Sequence, residues 1–155
     1  MALPPDRPAD DAVPQAHAPL PPGLLAAVAD QENRWRDIDR RYGLCSSADV
    51  AALVGSTARN RSEYASNLRA KGQVLAVARR GRYVYPAFQF SAAGRVHQVV
   101  PAVLAVLRDQ DWDPESIILW MTAPNGYLGG DAPADRIDDT DAVLDAATNA
   151  AHAGR

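Results

Sequence analysis

The stretch that decides the fold runs from Ser46 to Pro86 and reads SSADVAALVGSTARNRSEYASNLRAKGQVLAVARRGRYVYP. Ser46 and Ser47 are both helix N-cap candidates, and the apolar residues after them recur at helical spacing, which predicts a short helix over 48–54. Gly55 permits a turn, and the next apolar pattern predicts a helix over 60–71. Two short helices around a glycine-containing turn are typical of a helix-turn-helix.

After these helices the sequence changes to β-branched and aromatic residues on both sides of a glycine turn. Val77 precedes the run Arg79-Arg80-Gly81-Arg82, and Tyr83-Val84-Tyr85 follows it. This pattern predicts a β-hairpin with three arginines at its turn. Pro86 is expected to stop further pairing of the second strand as a central strand. The segment 23–92 is therefore predicted to be a winged helix-turn-helix.

The rest of the chain is predicted to be helical apart from its first residues. Residues 1–22 contain seven of the twelve prolines and show no apolar periodicity, so we expect a disordered tail there. A helix is predicted over 24–42, and residues 93–155 are predicted to form a small helical domain. The expected fold class is thus α+β, mainly α with a small β-hairpin.

Charge is distributed unevenly along a chain whose formal net charge is only −3. Residues 59–82 hold seven of the sixteen Lys and Arg side chains and one of the nineteen acidic ones. Residues 109–155 hold ten acidic side chains and two arginines. A basic surface suits phosphate, so this asymmetry predicts two surfaces with different partners. The alternative interpretation is that both are ordinary solvated faces.

The basic region predicts binding to double-stranded DNA. Side chains of the second helix are expected at base edges, and the hairpin turn at phosphates or in an adjacent minor groove. The predicted DNA-binding residues are Arg59, Asn60, Arg61, Ser62, Ser66, Arg69, Lys71, Arg79, Arg80 and Arg82. In the alternative interpretation, the hairpin only covers the helices and its arginines are solubilising turn residues.

The composition argues against several other functions. With 155 residues, 47% of them hydrophobic, the chain can form one modest core or two small ones, so a large enzyme fold is not expected. No metal ligands are predicted, because the single Cys45 and the three separated histidines have no ligand-like spacing. No catalytic residues or cofactors are predicted either, because no stretch shows a recognisable base beside a nucleophile or a pair of catalytic acids. Neither a membrane span nor a secretion signal is recognised, which predicts a cytoplasmic protein.

The sequence WMTAPNGYLGGDAPADRI, residues 120–137, resembles the toxin-binding domain shared by Xre/MbcA/ParS-type antitoxins. The resemblance extends over residues 97–150 and departs from the family at Asp131, where a basic residue is common, and at 134–137, which is less apolar than usual. The matching positions are Trp120, Pro124, Asn125, Leu128, Gly129, Gly130, Pro133 and Val143.

This resemblance implies a type II antitoxin that neutralises a toxin, often a RES-domain enzyme that consumes NAD, through its C-terminal domain. It also implies binding to the protein's own operator DNA with repression of transcription, and we expect a homodimer. The residues expected to bind the toxin are Pro124, Asn125, Gly126, Tyr127, Leu128, Gly129 and Gly130. Two alternatives stay open: a winged-helix transcriptional regulator whose C-terminal domain serves dimerisation only, and an interaction module with no nucleic-acid role.

Overall fold

The computed structural model describes residues 19–55 and 61–154. The chain divides after Asn33 into two units, and the first helix, α1 (Pro22–Tyr42), crosses this division. The tail predicted for residues 1–22 falls largely outside the described residues. Both candidate sites lie in the second unit, which is therefore the one described below.

Six α-helices and three short strands are present among the described residues. The helices after α1 are α2 (Ser47–Leu53), α3 (Arg61–Ala70), α4 (Val99–Arg108), α5 (Pro114–Thr122) and α6 (Thr140–Ala153). The strands are β1 (Leu44–Cys45), β2 (Val77–Arg79) and β3 (Arg82–Pro86). The protein is thus mainly helical with a small antiparallel sheet, which confirms the α+β class. None of the described helices is both long and apolar enough to cross a bilayer.

Local capping signals start two of these helices. The Ser46 hydroxyl accepts a hydrogen bond from the Asp49 N–H, and the Asp49 carboxylate accepts one from the Ser46 N–H, which forms a capping box at α2. At α5, Asp113 Oδ1 accepts from the Ser116 N–H at 2.8 Å, and Pro114 is the first helical residue. These backbone hydrogen bonds hold the pKa of both carboxyl groups below the ordinary value.

The predicted hairpin is confirmed, and its second strand is the centre of the sheet. The strand order is β1-β3-β2, with both pairs antiparallel. Arg79 pairs with Arg82, so the hairpin loop has two residues, Arg80 and Gly81. Their φ angles are 50° and 77°, and two successive positive φ angles are typical of a type I′ turn. This turn type matches the right-handed twist of the strands that it joins.

Nothing in the sequence pattern predicts strand β1, and its presence corrects the expectation for Pro86. Leu44 is in register with Pro86, and the Ala87 N–H donates to the Gly43 carbonyl at 2.9 Å. Strand β3 therefore pairs on both sides, and the expectation that Pro86 excludes it from a central position is wrong. The proline is tolerated because Ala87, the residue beside it, supplies the N–H that the pairing needs.

Two hydrophobic clusters form the interior of the second unit. The smaller cluster lies around α2, α3 and the sheet, and consists of Val50, Ala65, Val74, Ala76, Tyr85 and Phe90. The larger cluster draws mainly on α4, α5 and α6, and it also includes Trp35, Ile38 and Leu75. It thus contains residues from both sides of the predicted domain boundary at residue 92, and that boundary stays a prediction.

Candidate functional site

One arginine joins α3 to the hairpin. The Arg69 guanidinium carbon lies 3.5 Å from the centroid of the Tyr83 ring, and its Nη1 donates to the Tyr85 hydroxyl at 3.0 Å. Its Nη2 donates to Ser66 Oγ, one helical turn earlier, at 3.4 Å. The cation–π contact and the hydrogen bonds fix the end of α3 against β3. The face of α3 that carries Ser66 and Arg69 is therefore the face beside the hairpin.

The other DNA-binding residues predicted around α3 are only partly described by the structure. Arg59 and Asn60 lie outside the described residues. Arg61 and Ser62 form the first turn of α3, and their side chains also lie outside the description. Lys71 is exposed immediately after the helix. Of these residues, Arg61 and Ser62 are therefore placed in the first turn of α3 by their backbone alone.

The three arginines of the hairpin have different surroundings. The Arg79 guanidinium carbon lies 4.5 Å from the centroid of the Trp35 ring. Trp35 is only 2% exposed, and its Nε1 donates to Glu115 Oε1 at 3.3 Å. Arg80 and Arg82, in contrast, are exposed at the turn. Arg79 therefore anchors the hairpin to α1, whereas the turn itself lies at the surface.

A buried glutamine, which the sequence analysis missed, ties the two ends of the hairpin together. Gln89 Oε1 accepts from the Leu75 N–H at 2.7 Å, and Gln89 Nε2 donates to the carbonyls of Leu75 and Pro86, both at 2.9 Å. The side chain is fully buried, and these bonds satisfy its polar atoms. Gln89 thus holds the chain entering β2 against the chain leaving β3.

Gly94, which the sequence analysis also did not identify, lies where the loop after the sheet meets the end of α2. Its φ is 74°, and a Cβ atom at this position would lie 1.9 Å from the Leu53 carbonyl oxygen. The Gly94 N–H donates to the Ser91 carbonyl, and the Ser91 N–H donates to the Arg95 carbonyl. Only glycine fits this combination of conformation and close approach. The loop therefore holds the end of α2 in place.

The second candidate site is the loop that follows α5. Its backbone closes on itself, because the Asn125 N–H donates to the Asp131 carbonyl at 3.1 Å and the Gly130 N–H donates to the Asn125 carbonyl at 2.9 Å. Asn125 Oδ1 also accepts from the Tyr127 N–H at 2.9 Å. Gly129 and Gly130 both adopt positive φ, which favours glycine. The loop conformation is thus specified by its own residues.

This loop forms one wall of an open groove of about 570 Å³, with α6 opposite. Tyr127 is 72% exposed, whereas Leu128 is buried in the larger cluster. The apolar residues that line the groove are Trp120, Pro124, Tyr127, Ala146, Ala150 and Ala153. Four of the seven residues predicted to bind a toxin, Pro124 to Tyr127, therefore line this groove, while Leu128 packs inside and the two glycines form the turn.

A comparison with solved structures finds the same fold in an NMR structure of Rv2175c. The two chains are 25% identical with a TM-score of 0.60, and the match covers 72% of this chain and 82% of that one. No protein-family model and no curated protein matches the chain. What this chain is shown to share with Rv2175c is therefore the fold.

Proposed function

We propose that this chain is a DNA-binding transcriptional regulator that binds its own operator through α3 and the β2–β3 hairpin, which act together as a winged helix-turn-helix. The observation that carries the proposal is the contact of Arg69 with Tyr83 and Tyr85. This contact keeps the helix proposed to enter the major groove beside the hairpin proposed to reach the DNA backbone. The two elements thereby form one continuous surface.

The charge of this surface supports the proposal. Lys71 is exposed at the end of α3, and Arg80 and Arg82 are exposed at the hairpin turn. Glu63 is the single acidic residue in the sequence between residues 59 and 82. Such a surface attracts phosphates and gains affinity from the counterions that leave the DNA on binding.

The residues of the surface divide into two roles. We assign Arg80 and Arg82 to phosphates, because they extend from an exposed turn and a hairpin wing reaches the backbone or the minor groove. We assign the first turn of α3, with Arg61 and Ser62, to base edges, because the N-terminal residues of a recognition helix contact the bases. Arg69 acts indirectly, since both tyrosines already hold its guanidinium.

Fluorescence anisotropy of the full chain on a labelled duplex from upstream of its own gene tests the proposal. The logarithm of the association constant should fall linearly with the logarithm of the salt concentration. The double variant Arg80→Gln/Arg82→Gln should weaken binding to upstream and unrelated duplexes alike and reduce the magnitude of the slope by about two, one for each lost phosphate contact. The matched Arg80→Lys/Arg82→Lys variant should keep the slope. No binding by the wild type, or an unchanged slope in the glutamine variant, would refute the assignment.

A second candidate function, a type II antitoxin, is favoured by the groove beside the loop after α5. Tyr127 is an exposed aromatic residue on a loop closed by its own hydrogen bonds, and such aromatic residues are frequent anchors of protein interfaces. The groove residues also fall within the stretch 120–137, which resembles the toxin-binding domain of Xre/MbcA/ParS-type antitoxins. Under this proposal the partner is a toxin, with the RES-domain class as the first candidate.

Co-expression with the adjacent open reading frame tests the antitoxin function. The neighbour should arrest growth when expressed alone, and the wild-type chain should restore growth. Tyr127→Ala should fail to restore growth while it keeps DNA binding, and Tyr127→Phe, which keeps the ring, should still restore it. A harmless neighbour, or one that kills in the presence of the wild-type chain, would rule out the antitoxin. If Tyr127→Ala changes the oligomeric state of the chain in the absence of the neighbour, the groove would instead be a dimerisation surface.

A further inference from the structure

A concave site that neither proposed function uses lies between the C-terminal half of α1 and the end of α5. It encloses about 450 Å³. Pockets for small molecules usually measure about 300–1,000 Å³ and are mostly apolar with a few polar groups that orient the ligand. Ile38 and Leu119 provide the apolar part, and Tyr42 and Thr122 are polar residues of its lining. The size and composition therefore fit a small organic molecule.

Two arginines on one face of α1 line this pocket. Arg34 and Arg41 are seven residues apart, which is about two helical turns. Arg41 forms an ion pair with Asp135, and the second oxygen of that carboxylate accepts a hydrogen bond from the Tyr42 hydroxyl at 3.0 Å. Burial and the Asp135 carboxylate raise the pKa of Tyr42 to about 12. The phenol therefore stays protonated at neutral pH, and the Asp135 carboxylate is already occupied.

Arg34 differs from Arg41 in its surroundings. Within residues 19–55 and 61–154, no acidic side chain pairs with the Arg34 guanidinium. Asp37, the acid nearest in sequence on this face, lies 3.7 Å from Arg40 instead. Of the charged residues that line the pocket, Arg41 is thus paired with Asp135 and Asp37 with Arg40, and Arg34 is the lining cation without a carboxylate partner among the described residues.

We propose that this pocket binds a small organic monoanion with an apolar body. The carboxylate or sulfonate of such a ligand pairs with Arg34, while its apolar part packs against Ile38 and Leu119. A ligand with several negative charges is disfavoured, because Asp37 lines the pocket and Asp135 binds two of its lining residues, Arg41 and Tyr42, so both carboxylates would repel the additional charges.

Naphthoate, an aromatic monoanion, and naphthamide, its neutral counterpart, test this proposal on the full chain by isothermal titration calorimetry. Naphthoate should bind saturably, and about fivefold more tightly than naphthamide, which corresponds to a partly exposed ion pair. Arg34→Gln should remove this difference, because it should lower the affinity for naphthoate and leave the affinity for naphthamide unchanged. Arg36→Gln changes an exposed arginine of the same helix outside the pocket, and should leave both affinities unchanged.

Methyl chemical shifts of the same samples locate the binding site. The resonances of Ile38 and Leu119 should shift with either compound, and Thr122→Phe, which fills the pocket, should abolish binding of both. The proposal is overturned if neither compound binds, if both bind equally tightly to the wild type, if Arg34→Gln keeps the preference for naphthoate, or if the shifted methyl groups lie elsewhere. The comparison of Arg34→Gln with wild type remains decisive even if Thr122→Phe does not fold.

Discussion

The hairpin end of the molecule and its C-terminal helices are stabilised in different ways. Among the described residues, the smaller cluster contains six buried hydrophobic side chains, two of them alanines, and polar side chains such as Arg69 and Gln89 connect its elements. The larger cluster is built mainly from aliphatic side chains of α4, α5 and α6. A region with little apolar burial keeps its shape through specific hydrogen bonds and close backbone contacts. Mutations of single polar residues should therefore matter most at the hairpin end, where DNA binding is proposed.

The largest effect is expected at Gly94. An alanine at this position would have to adopt a positive φ, and its Cβ atom would overlap the Leu53 carbonyl oxygen. Gly94→Ala should therefore lower the free energy of unfolding by about 3 kcal/mol. Gly130→Ala is the matched control, because Gly130 also has a positive φ but no atom within 4 Å of the added Cβ. It should cost about 1 kcal/mol. Equal losses in urea denaturation would contradict the close contact at Gly94.

The next effect is expected at Gln89. Gln89→Leu keeps the approximate volume but leaves the N–H and carbonyl of Leu75 and the carbonyl of Pro86 without their partner, so it should cost about 2 kcal/mol. Gln73→Leu, at an exposed position, should change the stability by less than about 0.5 kcal/mol. A neutral Gln89→Leu in urea denaturation would show that the hairpin end does not depend on buried polar links.

A smaller effect is expected when Arg69 loses its charge. Arg69→Met keeps an unbranched side chain but removes the stacking on Tyr83 and the hydrogen bond to Tyr85, so it should lower stability by about 1 kcal/mol. DNA affinity should fall because the hairpin is no longer fixed beside α3, while the salt dependence of binding stays unchanged. A reduction of the salt slope by about one would instead place Arg69 on a phosphate.

The smallest effect concerns the acid stability of α5. The backbone N–H of Ser116 lowers the pKa of Asp113 in the folded state, so this carboxylate contributes stability at pH values above its unfolded-state pKa near 3.8. The contribution is lost as the pH falls through the lowered pKa of the folded state. Asp113→Asn keeps an N-cap acceptor without the charge, and its stability should therefore fall less steeply in this acidic range than that of the wild type. Identical acid titrations of stability would contradict the assignment.

Local sequence signals were sufficient to predict much of the fold. The serines before Ala48 predict a helix start through a side-chain cap, and the structure begins α2 at Ser47. The sequence Arg80-Gly81 between β-branched and aromatic residues specifies a hairpin, and the structure turns at these two residues. Such signals act over a few neighbouring residues, so a single sequence reveals them.

Features that depend on distant contacts could not be predicted in this way. Strand β1 has two residues and exists only because it pairs with the far end of β3. Gln89 and Gly94 look like ordinary loop residues until Leu75 and Leu53 are brought beside them.

The candidate DNA site was predictable as a cluster of basic residues but not in its internal division of roles. The spacing of arginines in the sequence does not show that Arg69 stacks on Tyr83 or that Arg79 stacks on Trp35. Tertiary packing determines which guanidinium groups are held by aromatic rings, and it leaves Arg80 and Arg82 exposed. The structure thus distinguishes the arginines that stack on aromatic rings from the arginines of the exposed turn.

Amide chemical shifts recorded while the upstream duplex is added to the labelled full chain test the proposed function most directly. The account predicts that the large changes fall on α3 and on the β2–β3 hairpin, and that α6 and the groove around Tyr127 stay unchanged. Changes confined to the C-terminal helices, or none at saturating duplex in low salt, would contradict it.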